Sequence, residues 1–344
     1  MKPLILGNIG DNQTGMYIFK TFDELLSDCI AIDVRKIVLD SGIKLGQDVI
    51  IDELQKMDYD PDLVIVLKGI ELSIKTVEQI KKMFPKAILV NWFFDKYMTI
   101  YPVWEDDLFL KYVPYYDYFF CSLKGIADKL KALGHENVRY LDEGCYPPFN
   151  KEVYLNYYQQ RNYGADVSFI GTIGYTKQHP NRIPILDRII NEGFHTKIWG
   201  KISCEMKLLP DTIKNCYTGT PVINEQHSMV AQSSLINIGI DQDLDLDMGH
   251  SARLYRVMCA GGFYLSTATK GLNKMFVVNK KGAKITGNED LIIFYDNDDL
   301  IQKIDFLLEH QELIDQIRLN GQKKVVENHT FKHRLEEMMK VIKK

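Results

Sequence analysis

Apolar residues in this chain come in short unbroken blocks. PLILG, CIAIDV, DLVIVLKG, KAILVNWFFD, YFFCS and VRYLDEG succeed one another through its first part. Blocks this short and continuous read as strands buried on both faces, as a parallel sheet requires. Between them lie segments of helical period. One carries Phe19, Phe22, Leu25 and Leu26, and SIKTVEQIKKMF places Ile74, Val77, Ile80 and Met83 on one face. KGIADKLKALG closes on Gly134, and the turn Asp60-Pro61-Asp62 announces the third strand. Strands alternating with helices predict an α/β domain.

The rhythm breaks at YPPFNKEVYLNYYQQRNYG. Pro147-Pro148 cannot continue a sheet, and the polar, Tyr-rich run after it reads as a connection. Alternation then restarts with DVSFIGTIG, RIPILDRIINEG, HTKIWG, SLINIGI, GHSARLYRVMCAGGFYLST and LIIFY. Two helices follow, with Asn297 or Asp298 as the expected cap, and the chain closes on FKHRLEEMMKVIKK. The expectation is two Rossmann-like α/β domains facing across a cleft, residues 1–150 and 151–328, with a helix over 329–344 returning to the first. Open parallel sheets bind ligands outside the carboxyl ends of their strands, so the chemistry is expected there. Neither a short-period repeat nor a low-complexity tract is present.

With 344 residues, 46% of them hydrophobic, there is ample material for two cores. A net charge of -4 gives no global basic footprint for nucleic acid. Six cysteines (Cys29, Cys121, Cys145, Cys204, Cys216, Cys259) without paired spacing read as reduced thiols. The chain passes from Met-Lys straight into a strand without a signal-type apolar region, and no apolar run reaches membrane-spanning length. A cytoplasmic location is expected, which leaves peripheral membrane contact open.

The stretch from Gly249 to Thr267 carries the most chemistry. A helix opening on Gly249-His250-Ser251 would point free N–H groups at an anion, with Ser251 adding a hydroxyl and Arg253, one turn in, a bidentate charge. Gly261-Gly262 would let it stop tightly. The plain alternative is a Ser-capped helix with a solvated arginine. GNIGDNQTG sets Gly7, Gly10 and Gly15 around the first strand-to-helix turn, without the GxGxxG spacing of a dinucleotide site. FIGTIG repeats the theme with Gly171, Thr172 and Gly174. Asp95 ends a buried strand where a general base would sit. Asp241, Asp243, Asp245 and Asp247 alternate after SLINIGI; hard oxygens in such a row suit a divalent cation, but in a polar loop they read better as solvated. His179, His227, His250 and His329 show no metal-ligand spacing, and neither a nucleophile elbow nor a phosphate-loop lysine is present.

As an ordered set, DVSFIGTIG…R…LDRIINEGFHTKIWG, SLINIGI and ARLYRVMCAGGFYLST resemble the glycosyltransferases similar to the spore-maturation protein CgeB, group-1-like transferases of GT-B fold. The resemblance spans roughly 60–340 and is densest from Asp166 to Thr267. It implies metal-independent transfer of a sugar from a nucleotide-diphosphate sugar, UDP-linked by first expectation, to a glycan, protein or small-molecule acceptor. His250, Ser251, Arg253, Tyr255 and Arg256, with Gly10, Gly171, Thr172 and Gly174, would hold the donor, and Asp95 would face the acceptor. No further cofactor is implied. The chain departs from the pattern at two places: related retaining transferases carry glutamates for ribose and donor sugar where this chain has Arg256 and Met248. A cation cannot accept ribose hydroxyl hydrogens as a carboxylate does. An epimerase-like enzyme of sugar nucleotides and a non-catalytic nucleotide-sugar or glycan-binding protein are the alternatives.

Overall fold

The computed structural model describes the chain apart from residues 12, 27, 96–98, 101–102, 105–107, 176–178, 242–243 and 344, and apart from the side chains of 99–100, 103–104 and 108–109. It divides into two compact units, Met1–Glu143 with Phe331–Lys344, and Gly144–Thr330.

Unit 1 runs β1 (Pro3–Gly7), α1 (Thr14–Leu25), β2 (Ile30–Asp33), α2 (Val34–Ser41), α3 (Ile43–Lys56), β3 (Leu63–Leu67), α4 (Ile74–Met83) and β4 (Ile88–Phe93). A short hairpin, β5 (Thr99–Ile100) and β6 (Val103–Trp104), then leads to α5 (Leu108–Tyr112), β7 (Tyr118–Cys121), α6 (Lys124–Ala132) and β8 (Val138–Tyr140). The main sheet is wholly parallel, in the order β2-β1-β3-β4-β7-β8. All five residues of β3 are buried, as a central strand covered on both faces demands. The chain leaves β1 for β2 on one side and returns to β3 on the other, so the sheet's switch point lies at the carboxyl ends of β1 and β3. There Gly7 is needed, because a Cβ would lie 2.8 Å from that of Leu67.

Unit 2 runs α7 (Tyr157–Tyr163), β9 (Val167–Ile170), α8 (Arg182–Asn191), β10 (Thr196–Trp199), α9 (Asp211–Cys216), α10 (Glu225–Ser233) and β11 (Ile236–Gly239). It continues through α11 (Arg253–Cys259), β12 (Tyr264–Thr267), β13 (Ile292–Phe294), α12 (Asn297–Glu309) and α13 (Gln311–Asn328). Its sheet is also parallel, ordered β10-β9-β11-β12-β13, with the switch point between β9 and β11. One face packs Leu186, Ile189, Leu300 and Ile304 against Val167, Ile238 and Leu265; the other packs Leu254, Tyr255 and Met258 against Tyr264 and Ile293. Asp296, not Asn297 or Asp298, caps α12, its side chain accepting the Asp299 N–H at 2.9 Å.

The division falls at Glu143/Gly144 and Thr330/Phe331, where the sequence pattern places 150/151 and 328/329. The reason is a backbone pairing. Cys145 N–H donates to His329 carbonyl at 3.1 Å, and Cys145 bridges Thr330, so Cys145 and His329 are tied together inside unit 2. Pro147-Pro148 then lie in a turn closed by Asn150 N–H on Tyr146 carbonyl.

The last helix, α14 (Phe331–Ile342), belongs to unit 1. Phe331 is fully buried, its ring 6.1 Å from Trp92 and 6.5 Å from Tyr17. Truncating a buried phenylalanine costs about 3–5 kcal/mol through lost burial and the cavity left behind. Phe331→Ala is therefore expected to lower the stability of unit 1 by that amount, read as a fall in the denaturant midpoint at unchanged slope.

Candidate functional site

At the carboxyl end of β9 a guanidinium lies where a ligand would approach. Arg253 is the first residue of α11, and its side chain turns back onto β9. Its Nε donates to Ile170 carbonyl, and the guanidinium carbon sits 5.0 Å from the centre of the Phe169 ring. Gly171 makes the passage possible: a Cβ there would stand 2.7 Å from Arg253 Nη2 and 2.9 Å from Phe169 Cζ.

This geometry corrects the expected anion-binding helix. The helix begins at Arg253 and has seven residues, with Ala252 before it and no side-chain cap. Arg253 is thus not one turn in, and Gly249-His250-Ser251 lie outside the helix. Ser251 Oγ does accept the Arg253 N–H, at 3.3 Å. Positive charge comes here from side chains rather than from a long aligned dipole.

A second guanidinium joins the first. Arg182 opens α8, is 6% exposed, donates from Nη1 to Thr172 carbonyl at 2.8 Å, and lies 5.5 Å from the Phe169 ring. Burial first, and then Arg253, pull its pKa down to about 9. Asp241 is the buried carboxylate beside the pair. Burial raises its pKa, although Arg253, His250 and Arg182 each act to lower it. Its expected place in a solvated acidic loop is corrected: the residue is separated from the end of β11 by Ile240 alone and is 5% exposed. Asp247 binds Lys274 at 2.8 Å, Asp245 is exposed, and Asp243 lies outside the described residues. Among the described residues no group of three or more acidic, His or Cys side chains could hold a metal ion.

Polar atoms around this switch point are buried without a hydrogen-bond partner among the described residues, among them Arg253 Nη1, Arg182 Nε and Asp241 Oδ2. Buried polar atoms in folded proteins are nearly always paired, so a cluster of open ones calls for a cause. Two guanidiniums against one carboxylate leave positive charge and spare donors, the complement of an anion. Gly239 leaves room for the Tyr264 hydroxyl to reach this edge.

The remaining donor-side residues divide. Tyr255 is fully buried, stacked 5.4 Å from His329, with its hydroxyl 2.9 Å from His250 Nε2. It therefore holds His250 in place instead of meeting a ligand, which corrects its assignment as a contact. Arg256 lies in the last turn of α11, close enough to His227 to act on its charge. Met248 has a left-handed backbone (φ +56°) and donates its N–H to Lys270 carbonyl at 2.9 Å. Gly174 packs against Ser203 where the β9 and β10 loops cross, and Thr172 contributes its carbonyl. Arg182 was not singled out by the sequence pattern, which read Asp241 as a solvated acid and His227 only as a histidine without metal-ligand spacing. The available signal was a helix opening on arginine just past the β9 glycine loop.

Gly10 and Asp95 lie in unit 1. Gly10 is a turn residue whose N–H reaches Asn8 Oδ1 at 3.4 Å, and a Cβ there would meet only ordinary contacts. Asp95 follows β4, half-exposed, and its Oδ2 accepts from Lys68 Nζ at 2.5 Å. Lys68 comes directly after β3 at the switch point, with φ +60°. Partial burial pulls its ammonium down, but Asp95, Glu143 and Glu71 outweigh that and hold its pKa above the usual lysine value. A left-handed backbone costs an L-residue about 1–2 kcal/mol. A half-exposed ion pair returns roughly 0–1 kcal/mol. The pair does not offset the strain.

Residues 182–340 match a family described as glycosyl transferase-like, a stretch that opens on Arg182 and contains Asp241 and all of α11. No curated protein matches the chain. Among solved structures it resembles sucrose-phosphate synthase from Thermosynechococcus elongatus, at 8% identity over 100% of this chain and 98% of that one, with a TM-score of 0.65. A trehalose-6-phosphate synthase aligns at 10% identity over 100% and 99%, with a TM-score of 0.64. The pneumococcal O-GlcNAc transferase GtfA, in complex with UDP and GlcNAc, aligns at 12% identity over 88% of this chain and 60% of that one, with a TM-score of 0.54. The fold is the α/β architecture with two parallel sheets of the GT-B glycosyltransferases. Family match and fold together support glycosyl transfer. No helix among the described residues is long and apolar enough to cross a membrane.

His227 supplies a pH test of this cationic environment. Burial first, then Arg256 and Arg253, lower its pKa to about 3, so the folded protein holds it neutral. Because the folded value lies below the unfolded one, its contribution to stability is complete above about pH 6.5 and is lost as pH falls toward 3, by up to about 1.4 kcal/mol per pH unit. His227→Gln is expected to remove that part of the slope, read as the difference between wild-type and variant unfolding free energies from pH 7 to pH 4.

Proposed function

We propose that this protein is a CgeB-like glycosyltransferase that moves a sugar from a nucleotide-diphosphate sugar, UDP-linked by first expectation, to an acceptor hydroxyl without a metal ion. The observation that carries the reading is the set of open donors on Arg182 and Arg253 at the β9/β11 switch point. Bound there, a diphosphate would take both guanidiniums in charge-assisted hydrogen bonds. The charge that builds on the leaving β-phosphate as the glycosidic bond breaks would meet cations already in place. Asp241 is one carboxylate beside two guanidiniums, so the site keeps net positive charge. His250 lies beside the same carboxylate, fixed by Tyr255.

The acceptor side is assigned to unit 1 and to Asp95. If the anomeric configuration inverts, the Asp95 carboxylate takes the acceptor proton as the new bond forms; if it is retained, Asp95 orients the hydroxyl. Arg256 and Met248 stand where related enzymes place carboxylates, so ribose and sugar are read here by other groups.

Hydrogen bonds to charged groups are worth about 1.5–3 kcal/mol. Arg253→Ala and Arg182→Ala are each expected to weaken UDP binding about ten- to a hundredfold by calorimetry, with uridine bound as by wild type. Arg253→Lys should recover only part, since an ammonium lacks the planar fork. Unchanged UDP affinity in both alanine variants would falsify the diphosphate assignment.

Metal independence has its own check. Chelation with EDTA is expected to leave UDP affinity unaltered. A loss restored by manganese or magnesium would instead make the Asp241–Asp247 loop a ligand set.

A further inference from the structure

The switch point of unit 1 holds a device that the donor reading does not use. Lys68 and Gly69 are both left-handed, at φ +60° and +77°. The backbone there is pinned from three sides. Lys68 N–H donates to Trp92 carbonyl at 2.9 Å, Asn91 Nδ2 donates to Lys68 carbonyl at 3.1 Å, and Gly69 N–H donates to Leu67 carbonyl at 2.7 Å. Gly69 admits no side chain, since a Cβ would lie 2.8 Å from Val66 Cγ1. The result lifts the Lys68 ammonium off the end of β3 and onto Asp95 at the end of β4. As shown above, the ion pair does not compensate the conformation that produces it. Costs of this kind persist where function requires them.

We infer that Lys68 and Asp95 together recognise two neighbouring hydroxyls of a sugar, and that the acceptor of the proposed transfer is a saccharide. The pair sets a donor and an acceptor side by side, 36% and 51% exposed. An ammonium has three donors and a carboxylate two oxygens, and among the described residues only one of each is engaged with the other. One hydroxyl of a vicinal diol can donate to Asp95 while its neighbour accepts from Lys68. A phosphate fits poorly, because it would share the lysine with Asp95, Glu143 and Glu71, the carboxylates that act on it. An apolar aglycone would strip water from both charges without replacing it. The loop after Lys68 also borders a cavity of about 340 Å³ lined in part by Gln47, Glu71, Leu72, Ser73, Thr76 and Tyr112, within the range of small-ligand pockets. Most of these side chains can hydrogen-bond.

The inference rests on the glycosyltransferase reading, and two independent binding measurements separate them. The full chain is applied to an array of immobilised mono- and oligosaccharides, and UDP binding is measured by calorimetry on the same preparations. Wild type is expected to bind saccharides with a free vicinal diol and to lose them when one of the two hydroxyls is replaced by hydrogen. Lys68→Met and Asp95→Asn should each weaken that binding about ten- to a hundredfold, with UDP affinity unchanged. Lys68→Gly should show the same loss while melting at or above the wild-type temperature, because glycine accepts the left-handed backbone. That variant separates recognition from folding. The inference is overturned if wild type binds no saccharide, or if Lys68→Met and Lys68→Gly bind as wild type does. Saccharide binding that depends on Lys68 in a protein indifferent to UDP would uphold the pair and remove the donor reading.

Discussion

The packing of the half-buried Arg253 guanidinium against the end of β9 is the constraint on which the rest of unit 2's chemistry depends. Taking part of a cation out of water costs free energy, against which stand a bond to Ile170 carbonyl, the face of Phe169, the Tyr264 hydroxyl and the nearby Asp241. A second guanidinium, Arg182, lies beside it, its pKa lowered first by burial and then by Arg253. Gly171 has to be glycine for the arrangement to fit. A packed hydrophobic group would cost less in the free protein, so the arrangement makes physical sense when an anion completes it.

Both sheets put their unusual chemistry in the same topological place. In unit 1 it is Lys68 after β3, and in unit 2 Asp241 after β11 with Arg253 folded onto β9. Each position adjoins the gap left where successive connections depart to opposite sides. Connections leaving a strand end in opposite directions cannot cover it, so side chains there meet solvent or a ligand. The parallel sheet thus decides where a site can be built, and the local residues decide what it takes.

The strands and the two-sheet class were legible because continuous apolar blocks leave no alternative to burial on both faces, as in LVIVL of β3 and INIG of β11. The glycines were legible as places of close approach, though not what approached: nothing in FIGTIG says that an arginine more than seventy residues later would cross Gly171. Long-range partners also hid the character of Asp241. Alternating acids in a row look solvated, and only the β11–β12 register, which puts Thr267 Oγ1 3.1 Å from Asp241 N–H, shows that the first of them is inside. Helix boundaries were the weakest signal. GHSARLYR has the composition of a capped start, yet the turn Gly249–Leu246 and the inward pull on Arg253 delay the helix until Arg253 itself.

The two edges of each sheet contrast in a way that argues against accident. At the amino ends, aspartates are engaged with neighbouring strands: Asp62 accepts from Lys2 N–H at 3.0 Å, Asp117 from Leu89 N–H at 2.8 Å, and Asp166 from His195 N–H at 3.0 Å. These bonds tie the start of one strand to the next and use the carboxylates for stability. At the carboxyl ends the chain does the opposite. It keeps a left-handed lysine, a left-handed methionine, two adjacent guanidiniums and a set of open buried polar atoms. A sequence able to satisfy its polar groups at one edge has the means to do so at the other. The open buried atoms on Arg253, Arg182 and Asp241 are what the proposed diphosphate would complete.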